Sequence, residues 1–115
     1  MTPLNLIVLY VADIDSSRNF YAALGLPFTQ EKHGAGPIHY STELPGGAVL
    51  ELYPRGGSAS SRARLGFTVT DLPAAIAALQ EVTPGALLRA PADLAYGHVA
   101  VVKDPDGNKI ELVAA

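Results

Sequence analysis

The sequence predicts an α+β fold of two tandem βαβββ modules forming a curved, partly open barrel. Three observations predict it. Val11-Ala12-Asp13-Ile14 precedes a helical pattern, and 58 residues later Val69-Thr70-Asp71-Leu72 precedes another. At an offset of 60, the ten residues from Leu44 to Tyr53 align with those from Asp104 to Val113, with Pro, Gly, Glu and Leu coinciding. Within each half, a helical stripe is followed by three strand-like runs separated by turn residues. Motifs that recur in the same order at about half the chain length mark a duplicated module.

The elements follow in order. Leu4 to Val11, rich in branched aliphatics, reads as a strand. Asp13 or Asp15 then caps a helix whose stripe is Ile14, Phe20, Tyr21 and Leu24, stopped by Gly25 and Pro27. Strands are expected at Phe28 to Lys32, Ile38 to Thr42 and Ala48 to Tyr53, with glycine- and proline-rich turns between them. The second half repeats the order. It has a strand at Arg64 to Thr70, Asp71 as cap, Pro73 in the first helical turn, and Leu72, Ile76, Leu79 and Val82 as the buried stripe. Strands follow at Ala86 to Ala90, His98 to Lys103 and Lys109 to Val113. The chain is thus read as one domain, 1–115, of modules 1–54 and 64–115 joined by a flexible Gly/Ser-rich linker at 55–63.

Composition narrows the function. With 115 residues, 49% of them hydrophobic and 17% charged, the chain suits a single compact domain. The absence of cysteine removes disulfides, thiolate catalysis, zinc ribbons and iron–sulfur clusters, and is compatible with a reducing cytoplasm. A net charge of −3 with scattered basic residues argues against a nucleic-acid partner. The apolar run Leu6 to Ala12 is ended by Asp13 and lacks a preceding basic region, so neither a signal peptide nor a membrane span is expected.

Period-two alternation assigns faces. Leu50 and Leu52 share one side of their strand and leave Glu51 on the other with Val49 and Tyr53; Ile110 and Leu112 likewise oppose Glu111. Leu65, Phe67 and Val69 oppose Arg64, Gly66 and Thr68, and Leu6, Val8 and Tyr10 form one set on the first strand. With the leucine faces under the helices, both glutamates look out of the other side, as polar groups in an otherwise apolar wall that suits a small-molecule pocket. The turn Asp104-Pro105-Asp106-Gly107-Asn108 reads as structural, since these residues make a tight hairpin connection.

The tandem pattern, Val-x-Asp followed by Phe20-Tyr21 and Leu24-Gly25, and Asp104 to Asn108 running into Ile110-Glu111-Leu112 resemble the vicinal oxygen chelate superfamily. This superfamily includes glyoxalase I, bleomycin-resistance proteins, extradiol dioxygenases and fosfomycin-resistance enzymes. The resemblance covers essentially the whole chain. It implies metal ligands on the first, fourth, fifth and eighth strands, commonly His or Gln, Glu or Gln, His, and Glu. Carried over, the fourth and eighth positions match as Glu51 and Glu111, whereas counting back five from Val11 and Val69 reaches Leu6 and Arg64. Leu6 has no lone pair and Arg64 repels a divalent ion, so two carboxylates alone leave the usual site incomplete. His33, His39 and His98 are the candidates to fill in, but His33 and His39 fall in or beside a glycine-rich loop and His98 has the wrong strand parity, so each reads more readily as a surface or loop histidine than as a ligand.

Arg64 is instead read as pairing with one of the two glutamates or offering its planar fork to a carboxylate or phosphate on a ligand. Tyr10, Tyr53 and Tyr40 are read either as stacking surface with hydroxyls or as ordinary core, and the ligand-binding set is Leu6, Tyr10, Glu51, Tyr53, Arg64 and Glu111. The resemblance implies a homodimeric, small-molecule-binding protein, and composition suggests the cytoplasm. Leu6 and Arg64 argue against the usual metal, so no cofactor is favoured, although a divalent metal on Glu51 and Glu111 stays possible. The alternative is a metal-dependent lyase, isomerase or dioxygenase resembling glyoxalase I, with Glu51 or Glu111 as catalytic ligand or general base. A purely structural dimerisation module is the third class. Neither nucleic acid nor membrane is an expected partner.

Overall fold

The computed structural model describes residues 1–115. The first half contains β1 (Leu6–Val11), α1 (Ile14–Ala22), β2 (Thr29–Glu31), β3 (His39–Glu43) and β4 (Val49–Pro54). The second contains β5 (Arg64–Val69), α2 (Leu72–Val82), β6 (Leu87–Leu94), β7 (Gly97–Lys103) and β8 (Lys109–Ala114). The chain divides into two compact units, Met1–Ser61 and Arg62–Ala115. Each holds one four-stranded sheet, in the orders β1-β4-β3-β2 and β5-β8-β7-β6. The first and last strands of each half pair in parallel, β1 with β4 and β5 with β8, and the remaining pairs are antiparallel. The α+β class and the βαβββ order read from the sequence are both present.

The repeat extends to individual hydrogen bonds. Asp13 caps α1 by accepting from the amides of Asp15 and Ser16, and Asp71 caps α2 by accepting from Ala74 N. The amide of Ser16, then that of Asp15, hold the Asp13 carboxyl below its usual range. In the two β-turns at an offset of 60, Leu44 N donates to Ala48 O at 2.7 Å and Asp104 N to Asn108 O at 3.0 Å. Gly47 N donates to Leu44 O and Gly107 N to Asp104 O, both at 3.0 Å. Gly107 adopts φ +86°, which a residue with a Cβ enters only with strain.

The helices bury the strand faces that alternation assigned to them. In the first unit α1 lies against β3 and β4, and Leu9, Val11, Phe20, Tyr21, Leu50 and Leu52 are buried. In the second, α2 contacts β8, and Leu72, Leu79, Ala100, Val102, Ile110 and Leu112 are buried. Each fully buried leucine or isoleucine of this kind contributes about 2 kcal/mol by leaving water. Tyr40 also belongs to this side: it is buried, and its hydroxyl donates to Asp15 Oδ1 of α1 at 2.6 Å while the Arg18 guanidinium covers its ring. It therefore ties β3 to α1 instead of offering stacking surface beside Tyr10 and Tyr53, because its strand position is in phase with Leu52.

Two further expectations change. Val82 is exposed, since α2 ends there and Ala86 takes the buried position beyond it. Strand β6 runs past the expected end at Ala90, through Pro91, to Leu94. As the edge of its sheet it tolerates the missing N–H, and its pairing with β7 shifts register on either side of Arg89. The Gly/Ser-rich segment after β4 is hydrogen-bonded back onto the first unit. Arg55 N donates to Val11 O and Ser61 N to Tyr10 O, both at 2.8 Å, and Ser61 Oγ accepts from Tyr10 N.

Asp104 organises the β7–β8 turn. Its buried carboxylate accepts from the amides of Asp106 and Asn108 and from Asn108 Nδ2, at 2.9–3.1 Å. Asn108 Oδ1 in turn accepts from Ala63 N at 2.8 Å, fixing the chain where β5 begins. Replacing Asp104 by Ala orphans these buried donors and should lower the unfolding free energy by about 3 kcal/mol, measured by urea denaturation.

Candidate functional site

The register of each sheet determines which residues accompany the two glutamates. In the parallel pair of the first unit Val8 lies beside Glu51 and Tyr10 beside Tyr53; across β3, Ser41 lies beside Glu51. In the second unit Gly66 lies beside Glu111 on one side and Val101 on the other, with Val99 beside Val113. Both glutamates face away from the buried leucines, as alternation requires.

In the second unit Glu111 is an anion held by two donors on one oxygen. Arg64 Nη2 donates to Oε1 at 2.8 Å and the Tyr96 hydroxyl to the same atom at 3.2 Å. The Arg64 hydrogen bond, followed in effect by that of Tyr96, keeps the Glu111 carboxyl below its usual range against an opposing desolvation. Tyr96 is pushed up, first by desolvation and then by its bond to Glu111. Beside this pair lies a hollow of about 230 Å³ lined by Arg64, Leu88, Arg89, Val101 and Lys109. A second hollow of about 220 Å³ uses Arg62, Arg64 and Lys109 again, with the Gly107-Asn108 turn. His98 lies off this face, exposed, with Nδ1 2.7 Å from Asp93 Oδ1.

In the first unit Tyr10 and Tyr53 stand 6.1 Å apart between ring centroids, and Leu6 is exposed further along the same strand face. Tyr53 is pushed up by desolvation and then by the neighbouring Glu51 charge. Its other neighbour is His39, whose ring stacks on it at 4.1 Å and 12°. His39 is not a loop or surface residue. It opens β3, is 1% exposed, and places Nε2 3.5 Å from both Glu31 Oε1 and Glu51 Oε2. Glu31 and Tyr96, like the buried position of His39, went unread in the sequence. The available signal was parity across the short hairpin, since Glu31 pairs with His39 and both share the face of Glu51.

The metal positions carried over from the resemblance do not fit an ion. The neighbours of Glu51 and Glu111 in the parallel ladders are Val8 and Gly66, without side-chain donors. Leu6 and Arg64 lie two residues further back, beside Val49 and Lys109, and the guanidinium of Arg64 already neutralises Glu111. A bound divalent ion would have to displace that cation.

The fold and these motifs agree with comparison to known proteins. The family model of the glyoxalase/bleomycin resistance protein/dioxygenase superfamily matches residues 4–112, and the chain belongs to this superfamily. Comparison with the curated proteins finds no match. Among solved structures, TnmS3, an antibiotic-binding protein from Streptomyces sp. CB03234, is similar with a TM-score of 0.73 and 24% identity, over 99% of this chain and 96% of that one. The oxidase ChaP-H2 is similar with a TM-score of 0.73 and 21% identity, over 99% and 94%. An integron cassette protein from the mobile metagenome of V. cholerae is similar with a TM-score of 0.66 and 27% identity, over 99% and 95%. No helix is long and apolar enough to cross a membrane.

The Glu111 pair carries a pH dependence of definite sign. Because its carboxyl sits below the ordinary value of 4.5, the ionised form stabilises the folded chain above that pH and the stabilisation disappears as pH falls through the depressed value. Thermal melts of Glu111→Gln should therefore show a flatter loss of Tm on acidification below about pH 4.5 than the parent protein does. Tyr96→Phe should shift the same limb by a smaller amount.

Proposed function

We propose that this protein binds a small, partly aromatic ligand bearing an anionic group, and does so without the metal centre of its enzymatic relatives. The observation that carries the reading is the hollow lined by Arg64, Arg89 and Lys109 against the apolar Leu88 and Val101. Arg89 and Lys109 make no ion pair within the chain, so their charges are available to a ligand. A guanidinium offers two parallel donors to a carboxylate or phosphate, and Leu88 and Val101 offer surface to an adjoining ring. On the first unit, Tyr10 presents exposed aromatic surface beside Tyr53, and Leu6 presents exposed aliphatic surface further along the same strand face. The similarity to an antibiotic-binding protein is in keeping with this reading, and the similarity to an oxidase shows that the fold alone does not choose the chemistry.

The alternative, a metal-dependent lyase, isomerase or dioxygenase, has less support. Glu111 is held ionised by Arg64 and Tyr96, which weakens it both as a base and as a ligand. A homodimer remains part of the proposal, because β6 is an exposed edge strand that a second chain can cover.

The test is calorimetric titration, in the presence of EDTA, with a series of aromatic carboxylates and their neutral amides. Carboxylates should bind at least roughly tenfold more tightly than the matched amides, and Arg89→Ala and Lys109→Ala should each erase most of that preference. Equal affinity for acid and amide, or binding that requires an added divalent ion, would overturn the reading.

A further inference from the structure

A second cluster of ligating side chains lies within the first unit, away from the Arg64–Glu111 pair. Glu31 from β2, His33 just after it and His39 at the start of β3 bring one ligand atom each to within 4.8 Å of one another. Glu51 from β4 joins them through His39. We propose that these four residues hold one divalent cation of the zinc class, in a site that shares only Glu51 with the positions carried over from the superfamily.

The spacing suits a shared ion. His39 Nε2 lies 3.5 Å from Glu31 Oε1 and 3.5 Å from Glu51 Oε2, and His33 Nε2 lies 4.0 Å from Glu31 Oε1. Ligand atoms about 2.0–2.1 Å from a tetrahedral zinc stand roughly 3.3 Å from each other, so side-chain rotation brings Glu31, His33 and His39 to one ion, with Glu51 beside His39 as the fourth donor.

The state of His39 points independently to a ligand. Its Nδ1 is 3.1 Å from the carbonyl oxygen of Pro37, which only accepts, so Nδ1 carries the hydrogen. In the neutral ring Nε2 is then the lone-pair atom. It is fully buried, has no hydrogen-bond partner, and is aimed at two carboxylates. Two carboxylates facing this nitrogen call for a cation between them, either a proton on Nε2 or a metal ion, and metal titration tells the two apart. A histidine that gives one N–H to a backbone carbonyl and turns the other nitrogen inward has the arrangement of a metal ligand with its outer partner in place. The Tyr53 ring, stacked at 4.1 Å, fixes the plane of the imidazole.

The site also has an entrance. The side chains of His33 and Glu31 are 72% and 36% exposed, whereas those of Glu51 and His39 are 16% and 1% exposed and form its floor. Two imidazoles and two carboxylates favour zinc, cobalt or nickel over magnesium or calcium. A bound ion would clip the Gly34-Ala35-Gly36-Pro37 loop to the sheet beside Tyr53.

The experiment uses the full chain stripped with EDTA and then dialysed free of it. Titration with Zn²⁺ should give one ion per chain and raise Tm, and Co²⁺ should develop the visible d–d bands of a tetrahedral site. Glu31→Gln and His33→Gln, both at solvent-facing positions, should each weaken binding at least roughly tenfold. His39→Gln should abolish it, and Glu111→Gln should leave it unchanged. Absence of saturable one-to-one binding, or binding unaltered in both Glu31→Gln and His33→Gln, overturns the proposal and leaves His39 as a bridge between two glutamates. Because ligand titrations for the anion-binding hollow are run in EDTA, each proposal stands or falls on its own result.

Discussion

The parallel ladder joining the first strand of each half to its last is the constraint on which both units depend. Parallel partners point to the same side, and the crossover between them sends a helix over one face of the sheet. Burying Leu50 and Leu52 under α1, and Ile110 and Leu112 on the helix side of the second sheet, therefore obliges Glu51 and Glu111 to face the other way. A one-residue slip in either ladder would exchange the leucines and the glutamates, so the apolar core and the polar face are specified by the same register.

Both halves thus place a carboxylate at the centre of a largely apolar strand face, and they neutralise it differently. In the second half the partner is a permanent cation, Arg64, two positions back on the neighbouring strand, with Tyr96 as a further donor. In the first half that position is Leu6, and the nearby nitrogen is that of His39 from the opposite neighbour, β3. An arginine settles the charge of its glutamate outright. The buried imidazole between Glu31 and Glu51 can balance them only by carrying a second proton or by sharing a cation with them. The duplicated scaffold therefore surrounds its two equivalent glutamates with unlike groups, an arginine and a tyrosine in one half and a histidine and a second glutamate in the other.

Much of this was legible from local chemistry. Asp13 and Asp71 cap helices because a short carboxylate before an aliphatic reaches the free amides of the first turn, and Gly107 marks its turn because the backbone there needs positive φ. Alternation placed Arg64, Glu51 and Glu111 on the correct faces for the same reason: it depends only on strand geometry. For Tyr40 the choice between core and stacking surface is settled only by its pairing with Leu52, which fixes its phase. Val82 was misplaced because a helical stripe continues in a sequence after the helix has run past its sheet.

The amino-acid pattern determined the repeat, the element order, the buried faces and the loss of ligands at Leu6 and Arg64, since each follows from short-range periodicity or residue identity. Pairing across strands decided the rest. His39 and Glu31 are separated by a glycine-rich loop whose conformation no local preference dictates, and only the β2–β3 register and the stacking of Tyr53 bring them to Glu51. Tyr96 reaches Glu111 in the same way, from the β6–β7 turn across a sheet whose edge strand shifts register twice. Long-range contacts of this kind arise from the competition among whole-strand pairings, which no window of sequence contains.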